Sequence, residues 1–449
     1  MMTITAPVSP EDSNHVRPFG NTLLVGAGPA AIQVAADFSR GWCEKLGLLN
    51  RKGPHAARLK TELEQQQSVL SIRVQGETSS QLSGQVRVDR FYEGFENVED
   101  IWNTVVICTP SDSFKEIVRA LRLDSRNMLK TIILLSPGIG SNLLVTSQLK
   151  QAKERVEVIS LSTYYAATKY ESEQASILAA VTKALKKRIY VASSKTKGTA
   201  VLEVKRLIES LGIQCTVVGH SIEAESRGIT TYVHPPFFLN DFSLREIFNS
   251  EQPSKKSMYK IYPEGPITQH TIRTMVLLWK EVSRLIQHFG FEPVNLLKFL
   301  NDDNYPVHEI TLSREDIETF MERDQTRQEY LLYIRYSAIL IDPFSIPDEN
   351  GRYFDFSAVP YKQVYQDQHG RWVIPRIPFE DYKRLKLLEG LARKANLPMP
   401  QAGQLIQCFE KKLDAFVTEK GRGWVHPDTF ADTTREDVDA IWKEMGEGR

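Results

Sequence analysis

The stretch Asn21–Arg40, NTLLVGAGPAAIQVAADFSR, decides the fold of this 449-residue chain. Its first residues, NTLLV, form a short apolar run that is typical of a buried strand. From Pro29 onward the apolar side chains recur at helical spacing, and two glycines, Gly26 and Gly28, lie between the two patterns. This order predicts a strand, a tight turn and a helix, which together open an α/β sheet.

Apolar runs of strand length recur along the first half of the chain. They are almost wholly apolar rather than alternating, which favours strands that helices cover on both faces, as in a parallel sheet. The further strand candidates are Leu46–Asn50, Thr104–Cys108, Thr131–Leu135, Val156–Leu161 and Arg188–Ala192. Helical patterns separate them, so we predict an N-terminal Rossmann-like, doubly wound parallel sheet of the α/β class.

The pattern changes after about residue 195, where long helical segments replace the alternation. Gln269–Phe289 and Pro378–Asn396 are examples, and Gln363–Ile374 predicts a hairpin. We therefore expect a flexible tail at residues 1–20, a nucleotide-binding domain at 21–195 and a mostly helical second domain at 196–449.

The composition excludes several classes of function. Lys plus Arg (56) balances Asp plus Glu (56), which argues against a broad basic surface for nucleic acid or anionic membrane. The most apolar segment, Tyr330–Ile341, is far shorter than the roughly twenty residues of a membrane span. The cysteines are scattered and form no C-x-x-C pair, so we expect neither disulfides nor a bound metal. We predict a cytoplasmic protein without nucleic-acid or membrane partners.

The glycine turn has the order of a dinucleotide-binding motif. The first glycine permits the tight turn, the second lets the backbone approach a pyrophosphate, and a small residue at Ala31 allows helix and strand to pack closely. The free N–H groups at the helix start attract the anion. An ordinary glycine-containing turn is the alternative. The residues expected to contact the cofactor are Gly26, Gly28, Pro29, Ala30 and Ala31.

The end of the second predicted strand distinguishes NAD from NADP. An acidic residue there would bind the ribose 2′-hydroxyl, but the chain has Asn50-Arg51-Lys52. Two cations favour a 2′-phosphate, and Arg51 can bind it through two hydrogen bonds, with Arg58 assisting. We predict NADPH as the cofactor, with a solvated basic loop as the alternative.

Two loops follow later strands of the same sheet. Thr109 and Pro110 follow one strand, and Ser136 and Pro137 follow the next. Because ligands of open α/β sheets lie at the carboxyl ends of the strands, we expect these residues to border the nicotinamide. Simple tight turns are the alternative.

The second domain contains one unusual segment, TTYVHPPFFLND, at Thr230–Asp241. The proline after His234 favours an extended backbone, so a rigid, aromatic-rich stretch would hold the imidazole as a candidate general acid/base. A hydrogen-bonded core histidine is the alternative. Asp342 follows the long apolar segment, and a buried carboxylate needs a donor partner, so a His234–Asp342 pair is an economical arrangement.

Several longer stretches resemble the opine dehydrogenases, specifically the opine-metallophore group that makes staphylopine, pseudopaline and related nicotianamine-like chelators. They span most of the chain, and the HPP and ILIDPFS strings are far more specific than the glycine motif. The matching stretches are Gly26–Ala35, Val158–Lys169, Tyr232–Leu244, Tyr262–Thr268, Asn304–Val307, Gln328–Ser345 and Asp348–Tyr365.

The resemblance implies an opine-dehydrogenase-type second domain and an NADPH-dependent reductive condensation. The primary amine of an amino-acid-derived, histidine-aminobutyrate-type substrate adds to a 2-oxo acid, water leaves, and hydride reduces the C=N bond to give a metal-chelating product. His234 and Asp342 match the family's His–Asp dyad as acid/base and orienting carboxylate. Asp241 and Asp355 lie in matching segments too.

One departure from the family pattern concerns the oxo acid. Staphylopine-type enzymes carry an aspartate where this chain has Ala167, and alanine leaves room for a second carboxylate. The resemblance therefore favours 2-oxoglutarate over pyruvate, as in pseudopaline-like synthesis. Tyr164 lies in the same matching stretch. Lys169, Arg227 and Arg335 are candidates for binding substrate carboxylates, with structural ion pairing as the alternative.

Two other functions fit some of these residues. A ketopantoate-reductase-like 2-oxo-acid reductase would share the glycine turn but would typically use a lysine where His234 lies. A non-catalytic dinucleotide sensor would bind NADPH without turnover. The partners in each case are small molecules, and because large two-domain dehydrogenases often form dimers, we expect a homodimer.

Overall fold

A computed structural model describes residues 17–76, 79–171, 176–340, 344, 347, 349–351, 353, 355 and 357–447. The strands of the first half are β1 (Thr22–Val25), β2 (Leu46–Asn50), β3 (Val69–Val74), β4 (Gly84–Arg87), β5 (Arg90–Glu93), β6 (Thr104–Ile107), β7 (Thr131–Leu134), β8 (Glu157–Leu161), β9 (Ala166–Tyr170), β10 (Ala179–Leu185), β11 (Arg188–Ser193) and β12 (Gln214–Val217). The helices among them are α1 (Pro29–Ser39), α2 (Pro54–Gln65), α3 (Phe114–Ala120), α4 (Ser141–Gln148) and α5 (Ala200–Ser210).

The second half is mostly helical, as predicted. Its helices are α6 (Ser221–Glu225), α7 (Ile229–Phe238), α8 (Asp241–Phe248), α9 (Gln269–His288), α10 (Leu296–Asp302), α11 (Arg314–Glu318), α12 (Gln325–Ala338), α13 (Arg376–Lys394), α14 (Pro400–Lys420) and α15 (Thr434–Glu447). Strands β13 (Tyr365–Gln366) and β14 (Trp372–Val373) form the predicted hairpin.

The main sheet has the strand order β12-β11-β8-β7-β6-β1-β2-β5. The central strands are parallel, and β1 lies between β2 and β6, where the strand order reverses. All four residues of β1 are buried because helices cover both faces of the sheet. The predicted Rossmann-like parallel sheet is therefore confirmed. One edge differs from the prediction, since β11 pairs with β8 in the antiparallel direction.

A second, four-stranded sheet with the order β4-β3-β10-β9 was not predicted. Its strands are only half buried. Strand β3 alternates buried and more exposed residues, and α1 packs against β3, β9 and β10. Such strands are polar on one face, so they lack the continuous apolar run that identifies the strands of the main sheet.

The structure can be compared with the predicted domain limits at two positions. Strand β12 pairs with β11, and α5 packs against both, so the main sheet continues past residue 195 to Val217. The limits as such stay a prediction. Residues 1–16 of the predicted tail lie outside the described residues. At its other end the predicted tail needs a correction. Phe19 is buried against Phe38 and Trp42, since this packing removes its apolar ring from water.

The second domain folds around α9. Thr268 caps the helix, since its side-chain oxygen accepts the Thr271 N–H at 3.1 Å. The apolar face of α9 lies in a cluster that includes residues of α7, α12, α13 and α14. This cluster holds together the helices that present the candidate site.

The C-terminal helix returns to the first domain. Helix α15 packs against both α4 and α13. Its Asp437 accepts a hydrogen bond from Lys115 Nζ of α3 at 2.5 Å, and the Cδ1 atom of buried Ile441 lies 2.8 Å from where a Cβ on Gly140 would be. The two domains are thus joined beside the loops that end β6 and β7. No described helix is both long and apolar enough to span a membrane.

Candidate active site

The glycine turn after β1 has the geometry of a dinucleotide site. Gly26 has φ of +97°, and a Cβ there would lie 2.8 Å from Thr109 Cγ2, so only glycine fits. A Cβ on Gly28 would have no atom within 4 Å, so the space before α1 is open. Helix α1 has no side-chain cap and no acid in its first turn. Its N–H groups therefore suit a pyrophosphate, and the residues fit a dinucleotide.

The cations predicted to bind a 2′-phosphate differ in their contacts. Lys52 Nζ lies 3.0 Å from Glu96 Oε1, and Arg58 Nε lies 2.7 Å from Glu62 Oε1. Arg51 is exposed, and its side chain has no hydrogen bond or ion pair within the described part of the chain. Arg51 is therefore the cation with its full bonding capacity available to a phosphate.

The two loops predicted to face the nicotinamide lie at the carboxyl ends of β6 and β7. Both contact Arg384, which α13 of the second domain contributes. Its Nε donates to Ser111 Oγ at 2.9 Å, and its Nη2 donates to the Ser136 carbonyl at 3.2 Å. Its Nη1 donates to Thr230 Oγ1 of α7 at 3.1 Å. One guanidinium thus joins both loops to the helix that contains His234.

A buried carboxylate, Glu225, fixes the start of the helix after β7. Its oxygens accept N–H bonds from Gly140 at 2.7 Å and from Asn142 at 2.8 Å, and the Ser160 hydroxyl donates to it at 2.7 Å. Burial raises the pKa of Glu225 to about 7, against these hydrogen bonds, which lower it. Since a protein side chain already occupies these N–H groups, the N-terminus of α4 is not available to a cofactor phosphate, in contrast to that of α1.

His234 lies within a helix, which corrects the predicted extended backbone. Helix α7 includes both following prolines, although a proline in a helix interior removes a backbone hydrogen bond. Burial of the apolar side chains that follow His234 compensates for this lost hydrogen bond. The buried residues are Pro235, Pro236, Phe237 and Phe238. Core packing therefore decides the conformation here over the local preference of the residue before proline.

The imidazole of His234 is held by a carboxylate from α13. Its Nδ1 lies 3.1 Å from Asp381 Oδ1 and 3.2 Å from Oδ2, and the Asp381 side chain is only 4% exposed. A carboxylate accepts hydrogen bonds, so in the neutral ring Nδ1–H donates to Asp381 and Nε2 is left with its lone pair. Nε2 lies 3.4 Å from the Tyr259 hydroxyl, and Phe238 contacts the ring edge to face. This arrangement presents one ring nitrogen for proton transfer.

Asp342 lies outside the described residues, so its predicted pairing with His234 stays a prediction. The two alternatives have other partners: Asp355 pairs with Lys260, and Asp241 lies 3.3 Å from Arg245. Sequence reasoning missed Asp381. One feature of the sequence could have identified it. Asp381 lies four residues before Leu385 and seven before Leu388, and this spacing places an acid on the buried, apolar face of a predicted helix.

The predicted carboxylate-binding arginines are engaged internally. Arg227 Nη1 donates to the Glu223 carbonyl at 2.7 Å, and its guanidinium lies over the Tyr190 ring at 4.7 Å. Arg335 is 1% exposed and donates to the carbonyls of Leu300 and Tyr305. These contacts account for both side chains structurally, and their roles toward a substrate stay predictions.

The remaining predicted substrate residues lie on or next to β9. Ala167 and Lys169 are on its exposed face, whereas Ala166 on the other face is buried. The Tyr164 hydroxyl lies 2.7 Å from Thr168 Oγ1, and burial raises the pKa of this phenol well above its usual value. The roles of Tyr164, Ala167 and Lys169 stay predictions.

The two halves of the site define a class of protein. One domain presents a glycine turn and an uncapped helix start that fit a dinucleotide, and the other presents an imidazole held by a buried carboxylate. Arg384 joins the two. This is the arrangement of a two-domain dehydrogenase. In such an enzyme the bound dinucleotide transfers the hydride, and a side chain of the other domain transfers the proton.

Comparison with known proteins identifies the family. Residues 20–445 match the family model of staphylopine dehydrogenase, and the chain belongs to this family. It is 44% identical to pseudopaline synthase of Pseudomonas aeruginosa, over 95% of this chain and 97% of that protein. It is 37% identical to staphylopine synthase of Staphylococcus aureus, over 88% and 91% respectively. The structure of yersinopine dehydrogenase with NADP+ bound superposes with a TM-score of 0.88, at 34% identity, over 96% of this chain and all of that one.

The protein is therefore an opine-dehydrogenase-type oxidoreductase that uses a nicotinamide dinucleotide. This confirms the family resemblance and favours it over the 2-oxo-acid reductase and the non-catalytic sensor.

Proposed function

We propose that the protein uses NADPH to condense the primary amine of a histidine-aminobutyrate-type intermediate reductively with 2-oxoglutarate, yielding a metal-chelating opine. The observation that carries this proposal is the contact between His234 and Asp381. It supplies an oriented acid/base on the helix that Arg384 joins to the nicotinamide-facing loops.

The chain's own residues would handle the protons of the condensation. His234 Nε2 would accept the proton that the substrate ammonium loses before its nitrogen adds to the oxo acid, and would return this proton to the departing hydroxyl when the carbinolamine loses water. Asp381 would stabilise the imidazolium ring between these two steps. When bound, NADPH supplies the hydride that reduces the C=N carbon. The Gly26–Ala31 turn and Arg51 would hold its phosphates, and the loops at 109–110 and 136–137 would border its reactive ring.

Two features support 2-oxoglutarate as the oxo acid. Ala167 replaces the aspartate of staphylopine-type enzymes, so no carboxylate at this position repels a second acidic group. The identity to pseudopaline synthase, 44%, also exceeds the 37% to staphylopine synthase. Ala167→Asp should shift the preference in kcat/KM away from 2-oxoglutarate and toward pyruvate. Ala167→Ser is the neutral control, and an unchanged preference in Ala167→Asp would remove this part of the proposal.

The defining experiment is product analysis. The protein is incubated with NADPH and 2-oxoglutarate, with and without candidate amines, and the mixture is examined by mass spectrometry. We expect NADPH oxidation only when an amine is present, with a product that contains both substrates less one oxygen. Oxidation without amine would instead favour a simple oxo-acid reductase.

We also propose that the enzyme acts in the cytoplasm as a homodimer with small-molecule substrates only. Sedimentation of the purified protein at micromolar concentration tests the assembly, for which a mass near twice the 51.2 kDa of one chain is expected.

A further inference from the structure

Lys186 lies at the edge of the main sheet where ligands bind. Strand β11 is antiparallel to β8, with Val191 opposite Leu161, so the start of β11 lies beyond the carboxyl end of β8. Lys186 precedes β11 by two residues, and its backbone N–H donates to the carbonyl of Tyr165 at 2.8 Å. Ligands of open α/β sheets bind at the carboxyl ends of the parallel strands. Lys186 is therefore on the ligand side of the sheet.

The side chain of Lys186 reaches the second domain at this edge. Its Nζ donates to Asn304 Oδ1 at 2.9 Å, and Asn304 Nδ2 donates to the Phe299 carbonyl at 2.9 Å. The second bond fixes the amide with its oxygen toward the ammonium. Lys186 thus connects the sheet domain with the helical domain.

The chain next to Asn304 bears on the candidate acid/base, His234. The next residue, Tyr305, is 48% exposed. Burial, together with the electrostatic effects of Asp381 and Tyr305, raises the pKa of the Tyr259 phenol. The Tyr259 hydroxyl contacts His234 Nε2. Asn304, the partner of Lys186, is thus followed in the chain by a phenol that acts electrostatically on the phenol beside His234.

The ammonium of Lys186 lacks a counter-ion. Its hydrogen-bond partner is a neutral amide, and no carboxylate of the described residues forms an ion pair with it. Asp303 acts on the ammonium electrostatically, but that carboxylate accepts a hydrogen bond from the Tyr190 hydroxyl at 3.1 Å and lies 3.5 Å from Arg188. Burial lowers the pKa of Lys186 to about 8, although Asp303 opposes this. A buried ammonium without an anion is costly, and a ligand carboxylate would remove that cost.

We propose that Lys186 binds a carboxylate of one of the two substrates, with Asn304 holding the ammonium in position. The inference rests on the proposed function for the kind of substrate, because both the oxo acid and the amino-acid-derived amine carry carboxylates. Lys186 is a binding residue in this role and takes no part in proton transfer.

The test compares neighbouring lysines. Lys186→Met should raise the KM for one substrate about 10–100-fold, the value of a charge-assisted hydrogen bond, and leave the dissociation constant of NADPH unchanged. Lys187→Met is the control, because Lys187 is exposed, and its KM values should stay within about twofold of wild type. If the increase is confined to the oxo acid, Lys186 binds the oxo acid, and if it is confined to the amine, Lys186 binds the amine. Unchanged KM values for both substrates in a folded Lys186→Met variant would overturn the proposal.

The charge-conserving variant Lys186→Arg allows a second test, based on pH. It also keeps the proposal testable if Lys186→Met does not fold. In wild type, the KM for the affected substrate should rise above about pH 8, as the Lys186 ammonium loses its proton. The Lys186→Arg side chain stays charged, so the rise in KM above pH 8 should disappear in this variant. Changes in KM caused by titration of the substrate's own amine should persist in both proteins. The charged and titratable groups that face this region, Asp303, Arg188 and Tyr190, are the same in both. Identical pH profiles would contradict the proposal.

Failure of this inference is distinguishable from failure of the proposed function. If wild-type enzyme reduces imines of pyruvate and not those formed from 2-oxoglutarate, the proposed oxo acid is wrong. The same comparison of KM values with pyruvate still tests Lys186.

Discussion

At the residue scale, the chemistry depends on which group holds each ring nitrogen of His234. The Asp381 carboxylate accepts from Nδ1, so Nε2, which faces the Tyr259 hydroxyl, is in the state that can accept a proton. A carboxylate in this position also stabilises the imidazolium ring that forms during proton transfer. In the proposed mechanism, Asp381 therefore acts through His234 as a positioning residue.

The identity of the orienting carboxylate can be tested with a matched pair of variants. We expect Asp381→Asn to lower kcat by about 10²–10⁴-fold, the range attributed to acid/base catalysis, because the amide no longer selects the required tautomer. Asp342→Asn should lower kcat much less, and neither change should alter the NADPH dissociation constant. Steady-state kinetics and fluorescence titration measure these effects. A larger loss in Asp342→Asn would support the predicted His234–Asp342 pair instead.

Cofactor preference also belongs to the residue scale. Arg51 has no described side-chain partner, whereas Lys52 is paired with Glu96. We expect Arg51→Ala to raise the KM for NADPH about 10–100-fold and to leave that for NADH nearly unchanged, since only NADPH has the 2′-phosphate. Lys52→Ala, the control, should have the smaller effect. Equal losses with both cofactors would show that Arg51 does not recognise the 2′-phosphate.

At the element scale, two polar contacts join α7 and α13. His234 contacts Asp381, and one turn away Thr230 contacts Arg384, which also reaches the loops after β6 and β7. Because both contacts lie on the same pair of helices, the position of the imidazole is coupled to that of the loops after β6 and β7. Small displacements between reacting groups have large kinetic effects, about 10²-fold for 1 Å.

Arg384 should therefore affect turnover more than stability. We expect Arg384→Gln to lower kcat about 10–100-fold and to increase hydrogen exchange at residues 109–113 and 136–141 in the protein without cofactor. Lys383→Gln is the control, because Lys383 contacts only the edge of the same region, through Asp112 at 3.2 Å. Exchange that rises equally throughout both domains would indicate a general loss of stability instead.

At the scale of the whole molecule, the C-terminal helix completes the junction of the two domains. Helix α15 packs against α4 of the sheet domain and α13 of the helical domain, so one element contacts both the nucleotide side and the dyad side. The apolar part of this junction includes Ile441, which is fully buried, and the polar part includes Lys115 with Asp437.

Removal of that apolar contact should loosen the whole chain. Ile441→Ala should lower the free energy of unfolding by about 2–5 kcal/mol, because it leaves a cavity between the domains. Ile310→Ala is the control, since Ile310 is 97% exposed and should change stability little. Denaturant unfolding measures both. Equal midpoints for Ile441→Ala and wild type would show that α15 does not stabilise the junction.

The sequence by itself determined the elements whose signals are local. The turn at Gly26 and Gly28 needs glycine for its backbone and open space, and both requirements are visible in the order strand, glycines, helix. The apolar runs of β1, β6 and β7 likewise predicted buried parallel strands. His234 was identified as a candidate because its segment is unusual and resembles a known family.

Only the tertiary structure decided the contacts between distant residues. Asp381 lies 147 positions from His234, and no local pattern specifies that a carboxylate on one helix meets an imidazole on another. The helical backbone at His234 likewise follows from burial of the residues after it, which outweighs the preference of a residue before proline. Packing energies of this kind depend on the whole core. Local sequence therefore specified the glycine turn, and the folded chain alone specified the partner of the His234 imidazole.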